Sequence, residues 1–359
     1  MKTLYLECNM GAAGDMLMAA LYELLPQTQK DAFLDTMNRL LPGVTVTPRQ
    51  AVTCGIAGTH MEVTVHGQEE HSHDVALGTV QDTVHDHVHE TAHDEAHHGH
   101  EHHHEHEHEH DHGHEHHHDH DHGHHHHHHA SPADIAAILA GLDVPEAVRS
   151  NAKAVYDRIA AAEAKAHGVP VAEVHFHEVG ALDAVADVTG VCLAMHLLAP
   201  DRVAASPVHV GSGQVRCAHG IMPVPAPATA HLLTGIPTYG GEIRGELCTP
   251  TGAALLAHFC GSFGPQPAMA VTAVGIGAGT KEFPAANCVR AFLGETEEGG
   301  REAVSELVCH IDDMTAEALA FAGERLLDAG ALDVSTAPIT MKKRRSAWAL
   351  TVLCRPADE

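Results

Sequence analysis

Histidine and carboxylate side chains are grouped in one stretch near the middle of the chain. His175 and His177 flank a single phenylalanine, and Glu178 follows directly. In an extended segment, residues two apart point to the same side, so both imidazoles face one surface. Imidazole nitrogens and carboxylate oxygens are common ligands of divalent transition metals. The stretch therefore indicates a cation site.

Two aspartates extend this group along a helix. From Leu182 onward, apolar residues recur at spacings of three and four, which predicts a helix. Asp183 and Asp187 are four residues apart and so share one edge of it. The alternative is a pair of surface histidines with two solvated aspartates, and the spacing alone leaves both open. The predicted metal ligands are His175, His177, Glu178, Asp183 and Asp187.

The composition of the chain excludes some partners. The length of 359 residues predicts two or three domains, and a hydrophobic fraction of 44% is enough for a sizeable core. The formal net charge is -28, so we expect no binding to nucleic acid, and cations are the natural partners. Nine dispersed cysteines without a Cys-x-x-Cys pair favour a reducing compartment. The N-terminal residues lack a long apolar run, so we expect no signal peptide or membrane anchor, and a cytoplasmic protein.

The segment 68–130 differs completely from the rest of the chain. It holds 28 of the 39 histidines, mixed with aspartate, glutamate and glycine. With so few apolar residues it cannot bury a core, so we expect it to be disordered without metal. Neutral imidazoles suit nickel, zinc and copper, so we interpret the segment as a metal reservoir that feeds a defined site. The alternative is a merely solvated linker.

The order of the remaining elements predicts a mixed α/β (α+β) fold in three ordered parts. An N-terminal α/β unit covers 1–67, and the main α/β domain, which contains the histidine pair, covers 131–295. The segment 301–359 has a β-α-β-β order, the first part of a ferredoxin-like unit. This unit looks incomplete, which would leave an open sheet edge. Either another polypeptide completes it or the chain is a shortened product.

Local motifs predict where several elements begin and end. Ser131-Pro132 and Thr249-Pro250 are typical of helix N-termini, and Gly168 of a helix C-terminus. Glycine-containing turns at 11–15 and 211–213 follow predicted strands, where backbone N–H groups can hold an anion. The first turn lacks a Gly-Lys-Ser/Thr sequence, so it is not a P-loop, and a tight turn capped by Asp15 is the alternative.

Beyond these local patterns, a set of long motifs in order resembles the nickel-insertion proteins of lactate racemase cofactor synthesis. The resemblance spans nearly the whole chain apart from the histidine-rich segment. The residues that carry it are Tyr5–Cys8, Gly11–Met16, His175–Asp183, Gly211–Gly213, Ala218–Thr229, Gly245–Ala254, Gly277–Thr280, Ile311–Thr315 and Met341–Lys343.

The resemblance implies a metal chelatase of the lyase class. Members insert nickel into pyridinium-3,5-bisthiocarboxylic acid mononucleotide, with CTP and manganese or magnesium required. The product is the nickel-pincer nucleotide, and the lactate racemase apoenzyme is the downstream acceptor. The protein is expected to be a homo-oligomer. On this view His175, His177 and Glu178 are the nickel donors, and Asp183 and Asp187 are ligands or partners of the ligands.

The resemblance also assigns nucleotide-binding roles. The expected seat of the substrate phosphate comprises Gly11, Gly14, Asp15, Gly211 and Gly213. Asp312 and Asp313 could bind a metal-nucleotide, with the basic run Lys342, Lys343 and Arg344 facing its phosphates. The alternative for the basic run is a charged sheet edge that discourages aggregation. Members of the family usually continue past the equivalent of Glu359 and bind nucleotide in a C-terminal domain. We therefore expect that this chain is either a shortened form or the product of the first of two reading frames.

Two other function classes compete with insertion. A nickel or zinc storage or delivery protein without catalytic activity would explain the histidine-rich segment. A metal-dependent hydrolase of nucleotides or phosphate esters would explain the histidine and carboxylate group. Storage leaves the long motifs in the ordered parts of the chain unexplained. For the hydrolase, the sequence contains no paired carboxylates or nucleophile motif that demands one.

Overall fold

A computed structural model describes residues 1–68, 73–74, 130–217, 220–296 and 304–359. The predicted histidine-rich insertion thus lies outside the described residues, except for its two ends and one short strand. The described residues form two compact units. The larger comprises Leu4–Gln266 and Ala273–Leu293, and the smaller comprises Met1–Thr3, Pro267–Thr272 and Gly294–Glu359. The sequence-based domain boundaries stay predictions.

The mixed α/β class is confirmed by the elements. The α-helices of the described residues are α1 (Gly14–Leu24), α2 (Gln27–Leu40), α3 (Pro132–Ala140), α4 (Glu146–His167), α5 (Leu182–Leu198), α6 (Pro227–Leu232), α7 (Pro250–Phe259) and α8 (Ala316–Asp328). The longer strands are β1 (Lys2–Glu7), β2 (Val44–Thr53), β3 (Ile56–Val65), β5 (Arg202–Ala205), β8 (Gln214–Cys217), β9 (Gly220–Pro223), β13 (Ala270–Ala278), β14 (Cys288–Glu295), β15 (Ser305–Ile311), β16 (Asp333–Met341) and β17 (Arg345–Cys354). The two-residue strands are β4 (His73–Asp74), β6 (Val208–His209), β7 (Gly211–Ser212), β10 (Thr238–Tyr239), β11 (Gly245–Glu246) and β12 (Ser262–Phe263).

A seven-stranded mixed sheet has the order β12-β5-β1-β14-β13-β3-β2. Pairing is parallel between β13 and β3 and between β12 and β5, and antiparallel between β2 and β3. Helix α1 packs on β3 and on α5, and α4 packs on α5, α6 and α7. The core between them is built mainly from alanine, valine, leucine and methionine. Strands from distant parts of the sequence therefore alternate in this sheet, with β14 and β13 between β1 and β3.

Two glycines of β13 allow α1 to lie directly on the sheet. A Cβ atom at Gly275 would come within 2.0 Å of the Ala20 carbonyl oxygen, and one at Gly277 within 1.8 Å of the Met16 carbonyl oxygen. These glycines therefore belong to a strand that touches helix backbone. The apolar residues over 270–274 predict a strand that ends where the glycines begin; the strand in the structure runs from Ala270 to Ala278.

Local capping chemistry is confirmed at three helix ends. The Ser131 hydroxyl accepts a hydrogen bond from the Asp134 N–H, and Pro132 is the first residue of α3. Gly168 ends α4 in a left-handed conformation with φ 67°. The Thr249 hydroxyl accepts from the Gly252 N–H (3.1 Å) at the start of α7. Capping hydroxyls or a terminal glycine next to the backbone determine these helix ends. The sequence alone was therefore sufficient to predict where the helices begin or end.

The smaller unit contains the predicted β-α-β-β order as β15, α8, β16 and β17. Its three-stranded sheet has the order β15-β17-β16, with both pairs antiparallel. The third strand thus lies between the first two, as in a split β-α-β unit. The ferredoxin-like assignment and the incompleteness of the unit stay predictions. No helix among the described residues is long and apolar enough to cross a membrane.

Candidate functional site

The two histidines of the central motif both line one cavity of the larger unit. Phe176, between them, is almost fully buried and packs against the Tyr156 ring at a centroid distance of 5.9 Å. The Phe176 N–H donates to the Ala130 carbonyl (2.9 Å), which fixes the segment. His175 and His177 consequently face the same cavity, of about 310 Å³, which we name the histidine cleft. The prediction that both imidazoles share one side is confirmed.

Three further elements complete the histidine cleft. Helix α4 contributes Glu163 and His167 from its last turns, and the His167 Nε2 atom lies 3.5 Å from Glu163 Oε2. Strand β8 contributes Arg216 and the thiol of Cys217. The remaining wall is largely apolar, formed by alanine, valine, proline and methionine side chains. The cleft thus offers nitrogen, sulfur and oxygen donors over an apolar floor.

The two aspartates of the motif line a second cavity, of about 290 Å³. Asp183 and Asp187 project from the first turns of α5, as their spacing predicts, and Asp15 joins them from the start of α1. We name this the carboxylate cavity. Three carboxyl groups in one half-buried space disfavour one another's ionised form, and a divalent cation would offset that effect.

Asp187 is held at the N-terminus of α1. Its carboxylate accepts a hydrogen bond from the Asp15 N–H, and its Oδ1 atom is buried with no hydrogen-bond partner among the described residues. A Cβ atom at Gly14 would lie 2.6 Å from Asp187 Oδ2, so only glycine permits this approach. The positive end of a helix favours a carboxylate at this position.

Burial dominates the electrostatics of the carboxylate cavity. It raises the pKa of Asp187 well above the usual range, and the charges of Asp15 and Asp183 raise it further. The pKa of the buried Tyr156 hydroxyl is also raised, first by burial and then by Asp183 and Asp187. That hydroxyl donates to the Val179 carbonyl (3.1 Å) and so stays protonated. Asp187 therefore holds its proton more tightly than an ordinary carboxyl group does.

Positively charged or chargeable groups border the same cavity. Lys281 lines it, and His60 Nδ1 lies 3.7 Å from Asp15 Oδ2. The start of α7, Thr249 to Thr251, forms another part of the wall. A substrate that carries negative charge would therefore meet Lys281, a helix N-terminus and the carboxylates in the same cavity.

The two cavities adjoin. Val179, Glu246 and Pro250 line both of them, so the Glu246 carboxylate lies at their junction. The residues of the central motif are therefore distributed over the two cavities, histidines in one and aspartates in the other. The side chain of Glu178 lies outside the described atoms. Across the described ranges, no three His, Cys, Asp or Glu side chains are placed to hold one metal ion.

The two glycine turns are placed differently from each other. Gly14 and Asp15 line the carboxylate cavity, whereas Gly11, Gly211 and Gly213 belong to neither cavity lining. Gly11 has φ +76° and packs against the Leu247 carbonyl, and Gly211 has φ +85° and packs against the Gly245 carbonyl. Their visible role is close backbone packing around β11. The phosphate seat stays a prediction for these residues.

The predicted nucleotide residues lie in the smaller unit. Asp312 forms an ion pair with Arg345 (3.2 Å) and lines a cavity of about 320 Å³ that also contains Trp348. Asp313 is exposed. The basic run Lys342–Arg344 is an exposed 3₁₀ turn between β16 and β17, where Lys343 and Arg344 have φ near +60°. The role of the basic run, in phosphate binding or as a charged sheet edge, stays a prediction.

Several lining residues could not be recognised from the sequence. Lys281 and Cys217 enter the cavities only through tertiary packing, and no local pattern distinguishes them. Glu246 lies within the motif Gly245–Ala254, but nothing in that motif assigns it to a cavity. Glu163 and His167 carry a weak signal, because a carboxylate and an imidazole four residues apart share one face of a helix.

Comparison with known proteins shows which family the chain resembles. A putative nickel insertion protein of Geobacter metallireducens is 50% identical over 63% of the chain and 58% of its own length. The pyridinium-3,5-bisthiocarboxylic acid mononucleotide nickel insertion protein of Desulfitobacterium hafniense (strain DSM 10664 / DCB-2) is 44% identical over 61% of the chain and 56% of its own length.

A third relative, the putative nickel insertion protein of Citrifermentans bemidjiense, is 37% identical over 100% of the chain and 78% of its own length. Several relatives are thus matched over little more than half of their length. No solved structure matches the chain. The profile of the family described as "Nickel insertion protein" matches residues 4–359. The chain therefore belongs to the nickel insertion protein family.

Proposed function

We propose that the protein inserts nickel into pyridinium-3,5-bisthiocarboxylic acid mononucleotide and so acts as a metal chelatase of the lyase class. The observation that carries the proposal is the pair of adjoining cavities, one lined by imidazoles and one by carboxylates, in a member of this family. The Desulfitobacterium relative is named for this substrate.

The donor atoms in the two cavities suit a transferable nickel ion. Imidazole and carboxylate groups hold nickel moderately, whereas the thiocarboxylate sulfurs and a ring carbon of the substrate bind it more strongly. Transfer of nickel from the protein to the organic ligand is therefore favourable in free energy. In this scheme His175 and His177 hold incoming nickel, with Glu178 as a third donor. Asp183 and Asp187 receive it or orient the ligands, and Lys281 faces the anionic substrate.

The remaining parts of the proposal concern partners. CTP with manganese or magnesium would bind in the smaller unit, near Asp312, Asp313 and the basic run Lys342–Arg344. The substrate phosphate would be held by the turn that contains Gly14 and Asp15. The apoenzyme of lactate racemase would accept the finished nickel-pincer nucleotide. For the CTP site, the ion pair between Asp312 and Arg345 supports only one point, namely that the position of the Asp312 carboxylate is fixed.

An in-vitro insertion assay tests the proposal. Purified protein is combined with nickel, CTP, manganese and the bisthiocarboxylate mononucleotide, and the nickel-containing product is measured by mass spectrometry and by activation of apo lactate racemase. We expect His177→Ala to lower the product by about tenfold or more. His196→Ala is the matched control, because His196 is exposed on α5 outside both cavities. Absence of product from the wild-type chain, with nickel bound, would contradict insertion by this chain.

A further inference from the structure

We infer that Asn287 is a positioning residue of the insertion reaction. It fixes the loop 279–287, which carries Lys281, so that the Lys281 ammonium group binds the phosphate of the nucleotide substrate in the carboxylate cavity. This inference rests on the proposed function and adds to it a residue that acts on the substrate only through another side chain.

The loop 279–287 forms part of the wall of the carboxylate cavity. It connects β13 to β14, which are neighbours in the large sheet, and all of it lies outside helices and strands. The lining residues that it contributes are Gly279, Thr280, Lys281, Phe283 and Asn287. Since neither a helix nor a strand ladder fixes this loop, the position of Lys281 depends on other contacts.

Three hydrogen bonds of Asn287 supply such contacts. Its side-chain Nδ2 atom donates to the Lys281 carbonyl (2.9 Å), and its backbone N–H donates to the Thr53 hydroxyl (3.1 Å). Its carbonyl accepts from the Gly279 N–H (3.0 Å). Only 5% of Asn287 is exposed, so water competes little with these bonds. Asn287 therefore ties the two ends of the loop together and attaches them to the end of β2.

The space around the Asn287 amide is closely fitted to it. A Cβ atom at Gly279 would lie 2.6 Å from Asn287 Nδ2 and 3.1 Å from the Met16 sulfur, so a larger residue there would displace the amide or its neighbour on α1. The position of the amide is thus set by packing as well as by hydrogen bonds. A short side chain with an N–H donor is required at 287, and asparagine supplies both.

The charge of Lys281 explains why its position matters. The cavity is also lined by Asp15, Asp183 and Asp187, which disfavour a phosphate unless a cation offsets them. Among the described residues of this lining, Lys281 is the only lysine or arginine. The start of α7 adds the partial positive charge of a helix N-terminus. Because the attraction between ammonium and phosphate falls with distance, displacement of the loop weakens phosphate binding.

Equilibrium binding of the substrate to the full chain, without nickel or CTP, tests the inference. Calorimetric titration compares the bisthiocarboxylate mononucleotide with the nucleoside that lacks its phosphate. We expect Lys281→Ala to weaken binding of the mononucleotide about tenfold and binding of the nucleoside less than about twofold. Asn287→Ala should weaken mononucleotide binding about fivefold with the same selectivity, and it should have little further effect in the Lys281→Ala background.

Two further variants serve as a control and as a second test. Asn38→Ala is the matched control, because the Asn38 amide also bonds to backbone, at Val46 (3.0 and 2.8 Å), but lies outside the cavity lining. It should leave both affinities unchanged. Thr53→Val removes the acceptor of the Asn287 N–H without entering the cavity. It should reproduce the phosphate-selective loss, and it keeps the inference testable if Asn287→Ala does not fold.

Three results would overturn the inference: equal affinity of the wild-type chain for the two ligands, unchanged mononucleotide affinity in Asn287→Ala and Thr53→Val, or additive effects of Asn287→Ala and Lys281→Ala. The first is read on the wild-type protein, so it does not depend on the folding of a variant. Failure of this inference is also distinct from failure of the proposed function, because insertion is measured separately by formation of the nickel-pincer product.

Discussion

At the scale of single residues, Asp187 connects stability with cation binding. Its carboxylate is fixed by the Asp15 N–H, and burial followed by the charges of Asp15 and Asp183 raises its pKa. The folded protein therefore keeps a proton on Asp187 at pH values where the unfolded chain, with a carboxyl pKa of about 3.9, has lost it. Its contribution to the free energy of unfolding accordingly falls as the pH rises from about 4 through the raised folded-state pKa.

The variant Asp187→Asn should remove this loss of stability at high pH. An amide can still accept the Asp15 N–H but carries no charge, so the free energy of unfolding at pH 8 should rise by about 1 kcal/mol. Urea unfolding of metal-free protein at pH 5 and pH 8 measures the change, which should be larger at pH 8. Asp313→Asn, at an exposed site, should have little effect. A destabilised Asp187→Asn protein at pH 8 would contradict this account of the cavity.

The residues of the central motif show what can be predicted from sequence at this scale. The shared side of His175 and His177 and the shared edge of Asp183 and Asp187 follow from strand and helix periodicity, and both are confirmed. Their assignment to two cavities does not follow from periodicity. The two pairs are separated by the 3₁₀ turn at Glu178–Gly180, and the residues that complete each cavity lining are distant in sequence.

At the scale of elements, the contact of α1 with β13 positions Asp15 and therefore one side of the carboxylate cavity. We expect Gly277→Ala to lower the free energy of unfolding by about 2 kcal/mol, because the new methyl group would overlap the Met16 carbonyl oxygen. The matched control is Gly264→Ala, since no heavy atom lies within 4 Å of a Cβ atom there. Urea titrations that give equal midpoints for the two variants would refute the close approach of α1.

The elements themselves were predicted unevenly. Helix ends with capping side chains or a terminal glycine were found, since their chemistry is local. The apolar pattern over 203–210 predicts one strand before the turn at 211–213. The structure divides it into β5 and β6 at Ser206-Pro207, because a proline cannot donate to a strand ladder. The length of β13 was underestimated, because glycines in a strand are recognisable only when the helix that packs on them is known.

At the scale of the whole molecule, insertion and storage predict different roles for the histidine-rich segment. If the chain is an insertase, deletion of Ser72–His128 should preserve the rate of product formation in ample nickel and lower it when nickel is scarce, because a tethered donor raises local concentration. A Gly/Ser segment of equal length is the control for spacing. A storage protein would instead lose its nickel capacity and function at every nickel concentration, and that result would favour storage.

The strand order of the large sheet also has a consequence for how the chain acquires its structure during synthesis. Strand β1 is made first, yet its neighbours β5 and β14 begin only at Arg202 and Cys288. The ribosome must therefore deliver the whole histidine-rich segment while β1 still lacks both partners. Pairing between such distant segments is slow and leaves strand edges exposed. A nascent chain of this protein should accordingly depend on chaperones for longer than its size alone would require.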